Sequence, residues 1–248
     1  MGTILITGGS RGIGAAIVKR AVADGHSVLF TYHSDRAAAD RLVAECDGRA
    51  QATRCDVADP AQIAAVFALA DSLKARTGEP LTGLVNNAGI TGGFARVADL
   101  PIDTLRGVLA TNVEGCFVAA QLAVQRLSTA RGGAGGSIVN LSSQAARLGG
   151  GGEWVHYAAS KAAVDALTIG LAREVGREGI RVNAVSPGLI DTDIHATAGD
   201  PDRVHRLADG VPLGRPGAAV EVADAVAWLL SDRSSYVTGT IIPVSGGR

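Results

Sequence analysis

Short runs of β-branched and apolar residues alternate along the chain with longer stretches of helical periodicity. TILIT at 3–7 reads as a first strand, followed by a glycine turn and a helix over about 12–24. SVLFTY at 27–32 is the second strand, with a helix behind it to about residue 46. AQATRC at 50–55 is the third, and Pro60 suits the first turn of the next helix. A fourth strand lies within 81–89, a fifth within 136–143, a sixth within 180–188 and a seventh within 239–247. Two helices between the fourth and fifth strands meet at a bend near Thr111 and Asn112, and a further helix covers 156–175. The C-terminal SYVTGTIIPVSGG fits an edge strand and its return.

Strands that read as nearly continuous apolar runs are buried on both faces, as in parallel sheets. Their alternation with helices predicts an α/β fold, a doubly wound parallel seven-stranded sheet with helices on both faces. No linker or charge block divides the chain, which reads as a single domain over 1–248.

Composition changes this picture little. Of 248 residues, 47% are hydrophobic and 19% charged, enough for a sizeable core. Net charge is −1 with no basic run, which disfavours nucleic acid as a partner. Cys46, Cys55 and Cys116 are widely spaced and read as reduced thiols of a cytoplasmic protein. They and the five histidines show no metal-ligand spacing. Strand-like sequence from Thr3 leaves no room for a signal peptide, and Ile6 stands where myristoylation needs Ser or Thr. No apolar run reads as long enough to cross a bilayer.

The 33 glycines fall in clusters, and one of them, TGGSRGIG, separates the first strand from the first helix. Gly8, Gly12 and Gly14 permit a tight turn and close approach of a ligand to the helix N-terminus, which favours an anion. Gly9 and Gly14 have P-loop spacing, but Ala15 and Ala16 stand where Lys and Ser or Thr are required. The G-x-G-x-x-G fingerprint also fails, at Ile17.

A second chemical signal is HYAASK at 156–161. Positions i and i+4 share a helix face, so Tyr157 and Lys161 point the same way. A tyrosine pKa near 10 makes a poor base. A cation about 4 Å away at an effective dielectric near 20 contributes roughly 4 kcal/mol. That lowers a phenol pKa by as much as about 3 before desolvation is subtracted. Asn112 falls on the stripe Leu105, Leu109, Asn112, Cys116, where a buried amide needs partners. Backbone groups at the helix bend are one source of them.

Thr7 to Gly14, NNAG at 86–89, Asn112, SS at 142–143, YAASK at 157–161 and PGLIDT at 187–192 occur in that order. Together they resemble the short-chain dehydrogenase/reductase family, with matches over essentially the whole chain. The resemblance implies a Rossmann fold, NAD(H) or NADP(H), and hydride transfer between nicotinamide C4 and a carbonyl or secondary alcohol. Tyr157 would exchange the proton, Lys161 lower its pKa and hold the nicotinamide ribose, and Ser143, rather than Ser142, orient the substrate oxygen. Asn112 would hold a water linking the lysine to solvent. The turn with Gly8, Ser10, Arg11, Gly12, Ile13 and Gly14 would hold the pyrophosphate. Asp56 and Val57 would meet the adenine, and Asn86, Asn87, Ala88 and Gly89 line the adenosine ribose. Pro187, Gly188, Ile190 and Thr192 would anchor the nicotinamide end.

NAD-preferring sites place an acid at the end of the second strand. Tyr32 stands there, and Asp35 suits a helix cap. Arg11 with Tyr32, His33 and Ser34 could meet a 2′-phosphate, so NADP(H) is preferred, with NAD(H) the alternative. The walls of the substrate site are 144–154 and a lid over about 193–216 that carries His195. His156 points away from the site. Relatives that reduce 3-oxoacyl groups dock an acyl carrier protein through basic residues, and Ala134 and Glu178 stand at the matching positions, with Arg131 and Arg177 nearby. A 3-oxoacyl-carrier reductase, a sugar 1-dehydrogenase and a non-catalytic NADP(H) sensor are the alternatives to a reductase of small carbonyls. The family implies a homotetramer, or a dimer.

Overall fold

The structure is a computed structural model and describes residues 2–192, 199–200 and 202–248. The strands are β1 (Thr3–Ile6), β2 (Ser27–Tyr32), β3 (Ala50–Arg54), β4 (Leu81–Asn86), β5 (Gly136–Leu141), β6 (Ile180–Pro187), β7 (Ile190–Asp191), β8 (Gly217–Ala218) and β9 (Ile241–Val244). The helices are α1 (Gly12–Ala23), α2 (Arg36–Ala44), α3 (Pro60–Thr77), α4 (Ile102–Leu109), α5 (Gly115–Leu127), α6 (Ala145–Leu148), α7 (Val155–Val175), α8 (Arg203–Leu207) and α9 (Ala219–Leu230).

Seven strands pair in parallel in the order β3-β2-β1-β4-β5-β6-β9. Strand alternation sends side chains to opposite faces. Ile4 and Ile6 of β1 therefore join Val28, Phe30, Val85 and Val139 under α1, α2 and α9. Leu5, Leu29, Leu84 and Ile138 meet α3, α5 and α7 on the other face. The doubly wound sheet read from the sequence is the observed one. Strand order reverses between β1 and β4, and because all strands run the same way, the segments after β1, β4, β5 and β6 gather at one edge. Ligands bind at such a switch point in open α/β sheets.

Three details depart from the sequence reading. A π-helical turn at Ala110–Glu114 joins α4 to α5, so Ile102–Leu127 is one continuous helix instead of two. The extra residue in that turn rephases the helix: Asn112 and Cys116 are buried, whereas Leu109 is 40% exposed and leaves the supposed stripe. By length and composition this helix could cross a membrane, with a mean hydropathy of 1.4 in its most apolar window. The apolarity has another use here, since Ala119, Ala123 and Leu127 are fully buried against the sheet. Finally, β7 and β8 form a two-residue pair that no periodicity announced.

Candidate functional site

A cleft of about 910 Å³ lies along the edge where the strands end. It brings together the glycine turn, the Tyr32-His33-Ser34 run, Asp56, Val57, Asn87 to Gly89, Ser143, Tyr157, Lys161, Pro187, Gly188, Ile190 and Thr192. Two of the residues singled out from the sequence do not line it. Asn86 turns into the core, where its Nδ2 donates to Asn140 Oδ1 at 3.0 Å. Asn112 stands behind the cleft, beside a hollow of about 10 Å³ that Lys161 also lines. His195 and the start of the supposed lid lie outside the described residues.

The glycine turn is built for close approach. Gly8 sits at φ 65° and Gly12 at φ 54°, the left-handed region that favours glycine. A Cβ on Gly14 would lie 2.2 Å from the Gly8 carbonyl oxygen. Asn87 braces the turn, its Nδ2 donating to the carbonyls of Thr7 and Gly8 at 3.0 and 2.8 Å. Thr7 Oγ1 in turn accepts from the backbone N–H groups of Asn87 and Ala88. Helix α1 begins without a side-chain cap or an acidic residue in its first turn. Its N-terminal N–H groups and dipole are thus left to attract an anion in the cleft.

At the end of β2, Tyr32, His33 and Ser34 line the cleft, as does Arg11. Asp35 Oδ1 accepts the Ala38 N–H at 2.9 Å and caps α2, as its position suggested. The carboxylate that follows the second strand in sequence is therefore engaged by its own helix. Asp56 Oδ1 accepts from Ala58 N–H at 2.9 Å, and Oδ2 lies 3.8 Å from His33 Nε2.

At the opposite end, α7 presents Tyr157 and Lys161, both buried. Lys161 Nζ donates to the Leu141 carbonyl at 2.7 Å and stands 5.8 Å from the Tyr157 ring centre. Burial pushes the Lys161 amine down to about 8, partly opposed by Cys116 and Asp165. The phenol departs from the sequence expectation. Burial pushes Tyr157 upward and a hydrogen bond with Ser143 opposes this, with desolvation the larger effect. A phenol held neutral is a proton donor. Ser142 Oγ donates instead to the Lys161 carbonyl at 3.4 Å, so only the second serine of the pair faces the phenol.

Asn112 is satisfied on three sides. Its Oδ1 accepts from Ile90 N–H at 2.9 Å, and its Nδ2 donates to the Ile90 carbonyl at 2.8 Å and to Ser160 Oγ at 3.0 Å. It ties the segment after β4 to α7. His156 is also structural: it is buried, with Nε2 2.8 Å from the Thr91 carbonyl oxygen. Trp154, the last residue of the expected substrate wall 144–154, lines the cleft and meets Tyr157 edge-to-face at 5.8 Å. An aromatic just before the helix carrying Tyr157 was the available signal for it. The free thiols Cys46, Cys55 and Cys116 are buried away from solvent.

A family profile described as Enoyl-(Acyl carrier protein) reductase matches residues 8–248. The chain is 45% identical over 251 residues to the uncharacterized oxidoreductase YgfF of Escherichia coli K12, covering 100% of both chains. It is 38% identical to the 3-oxoacyl-[acyl-carrier-protein] reductase FabG of Salmonella typhimurium, over 98% of this chain and 95% of the relative. Among solved structures, a blue fluorescent protein from a metagenomic library, in complex with NADPH, superposes with a TM-score of 0.87. That protein is 37% identical, and the match covers 99% of this chain and 97% of the other.

Proposed function

The chain belongs to the short-chain dehydrogenase/reductase family, an oxidoreductase acting on CH–OH or C=O groups with a nicotinamide dinucleotide, and from that premise we propose that it uses NADPH to reduce a small carbonyl compound. The observation that carries the reading is the convergence of Ser143, the buried Tyr157 phenol and Lys161, one helical turn from Tyr157, on one end of the cleft.

The residues present fit a dinucleotide. Gly8, Gly12 and Gly14 line the cleft in a turn too tight for side chains at Gly8 and Gly14, and the uncapped start of α1 would meet a pyrophosphate there. Ser10, Arg11 and Ile13 complete that turn, with Asp56 and Val57 toward the adenine and Asn87, Ala88 and Gly89 along the adenosine ribose. Pro187, Gly188, Ile190 and Thr192 flank the nicotinamide end. Arg11, Tyr32, His33 and Ser34 offer a 2′-phosphate a cation and hydroxyl donors, while Asp35, engaged as a helix cap, leaves a free 2′-hydroxyl without its usual acceptor. When bound, the cofactor supplies the hydride.

The protein's part is the proton and the oxygen. The carbonyl oxygen gains negative charge as its carbon accepts hydride. Tyr157 donates its proton to that oxygen, and the Ser143 hydroxyl holds the oxygen in line. The Lys161 ammonium stabilises the phenolate left behind. Asn112 keeps Ile90 and its neighbours packed against α7, and its hollow beside Lys161 is the size of a water.

A carrier-bound acyl substrate fits less well, although FabG is a relative. Glu178 stands where an acidic carrier would meet a base, and its carboxylate accepts from Ser128. The test is NADPH oxidation over a panel of ketones, aldehydes, sugars and acyl thioesters. Turnover of small ketones or aldehydes above that of acyl thioesters supports the reading. Tight NADPH binding without turnover of any of them overturns it in favour of a sensor.

A further inference from the structure

Phe94, Glu153, Trp154 and Arg203 come from three separate segments and meet beside the cleft. Arg203 is only 6% exposed, unusual burial for an arginine. Its guanidinium forks onto Glu153, Nη1 to Oε1 at 2.9 Å and Nη2 to Oε2 at 2.7 Å. Its central carbon lies 4.6 Å from the Trp154 ring centre and 5.6 Å from that of Phe94. Phe94 and Trp154 stack at 5.0 Å with 13° between planes, and Trp154 meets Tyr157 edge-on. An unbroken chain of contacts thus runs from Arg203 to Tyr157.

Local backbone bonds fix the main chain of Trp154, whose N–H donates to the Gly150 carbonyl and whose carbonyl accepts from Ala158 N–H, both at 2.8 Å, but they do not hold its ring. Gly149, Gly150 and Gly152, just before it, all sit at positive φ, in a stretch with high backbone entropy to lose. Trp154 needs an external clamp, and Arg203 is suited to be one. Its helix is anchored independently, through Val204 against Leu189 and Val211. The backbone bond from Ala95 N–H to the Glu153 carbonyl at 3.0 Å then ties in the segment carrying Phe94.

We infer that Arg203 is a positioning residue for the reaction: clamped between Glu153 and the two rings, it fixes Trp154 against Tyr157 and sets the gap in which the carbonyl group lies. The inference rests on the proposed role of Tyr157. Charge alone does not suffice for this function, because a lysine lacks both the planar fork and the stacking face.

The experiment compares wild type with Arg203→Ala, Arg203→Lys and Glu153→Gln. Amide hydrogen exchange is followed over 90–95 and 150–157, with β5 as internal reference, and NADPH affinity is measured alongside. In both Arg203 variants, exchange rises about tenfold in the two segments while β5 and the NADPH Kd stay at wild-type values. Glu153→Gln, which keeps the stacking, gives a smaller rise and serves if the Arg203 variants do not fold. For the ketone that wild type reduces best, KM rises about tenfold in both Arg203 variants, more than kcat falls, with NADPH KM unchanged. Wild-type exchange in both segments, or full rescue by lysine, overturns the inference. Failure of wild type to reduce any carbonyl counts against the proposed function, whereas the exchange result still decides whether the clamp exists.

Discussion

Ser142 Oγ donates to the Lys161 carbonyl oxygen at 3.4 Å, while the hydroxyl of the next residue bonds the Tyr157 phenol. Adjacent serines at the end of β5 thus face a backbone and a reacting group. Ser143→Ala removes a donor aimed at the developing oxyanion, a loss of about 10²–10³ in kcat. Ser142→Ala leaves kcat within about threefold, lowers the urea midpoint, and costs about 1 kcal/mol for its lost hydrogen bonding. Comparable kcat losses in both variants would remove the distinction drawn between them.

Tyr157→Phe keeps the ring that Trp154 packs against and deletes only the proton donor. Turnover falls by at least about 10³, above the usual range for one acid–base group because Ser143 also loses its partner. The NADPH Kd, measured by fluorescence titration, stays within about twofold because the glycine turn is untouched. Turnover near wild type in this variant would be incompatible with the mechanism.

The proton inventory sets a pH dependence. Lys161 is pushed down to about 8 from 10.5, so its positive charge is lost as pH rises through about 8. Tyr157 is displaced upward and keeps its proton beyond that point. Carbonyl reduction, which uses ammonium and neutral phenol together, declines above about pH 8. Alcohol oxidation, which needs the phenolate as base, does not gain over the same range, because the phenol is still protonated there. The unfolded chain holds the Lys161 proton up to 10.5, so between about 8 and 10.5 this group's contribution to stability grows with pH. Profiles of kcat/KM in both directions check the kinetic claim, and a reduction rate that climbs through pH 8 contradicts it.

At the other end of the cleft, kcat/KM is expected to be higher with NADPH than with NADH. Arg11→Ala narrows that ratio by about tenfold or more, consistent with loss of one charge-assisted contact of about 1.5–3 kcal/mol. Gly14→Ala abolishes binding of both dinucleotides, because its Cβ falls 2.2 Å from the Gly8 carbonyl oxygen and the turn must open. A higher kcat/KM with NADH in wild type would reverse the assignment of cofactor preference.

Much of this geometry was legible in the chain because each strand is a contiguous signal and parallel pairing sends every strand end to one edge. The glycine spacing, the Tyr157–Lys161 interval and the Asp35 cap are local patterns, and local patterns survive folding. The π turn was not legible, since an extra residue in a helix depends on packing around Asn112 and Gly115, whose Cβ would strike the Val57 carbonyl at 2.3 Å. The sign of the Tyr157 shift was misread for a related reason: four-residue spacing gives the cation, but burial is a tertiary quantity and here it dominates. Trp154 and Arg203 are 49 residues apart in sequence, and nothing short-range links them.

Asn112 allows the bend and the chemistry to be separated. Its amide supplies an acceptor for Ile90 N–H and a donor for the Ile90 carbonyl, so an apolar side chain orphans both groups at once. Asn112→Leu is close in volume yet costs about 1–3 kcal/mol per orphaned group, read as a lowered urea midpoint. The loosened segment runs directly into Thr91, whose carbonyl holds His156, so substrate KM rises along with the loss of stability. Asn112→Asp keeps the acceptor, loses the donor and adds a negative charge beside the hollow shared with Lys161. That charge favours the ammonium, so the alkaline decline of carbonyl reduction shifts to higher pH in Asn112→Asp and not in Asn112→Leu. An unchanged alkaline limb in the aspartate variant would mean that Asn112 acts on the fold alone.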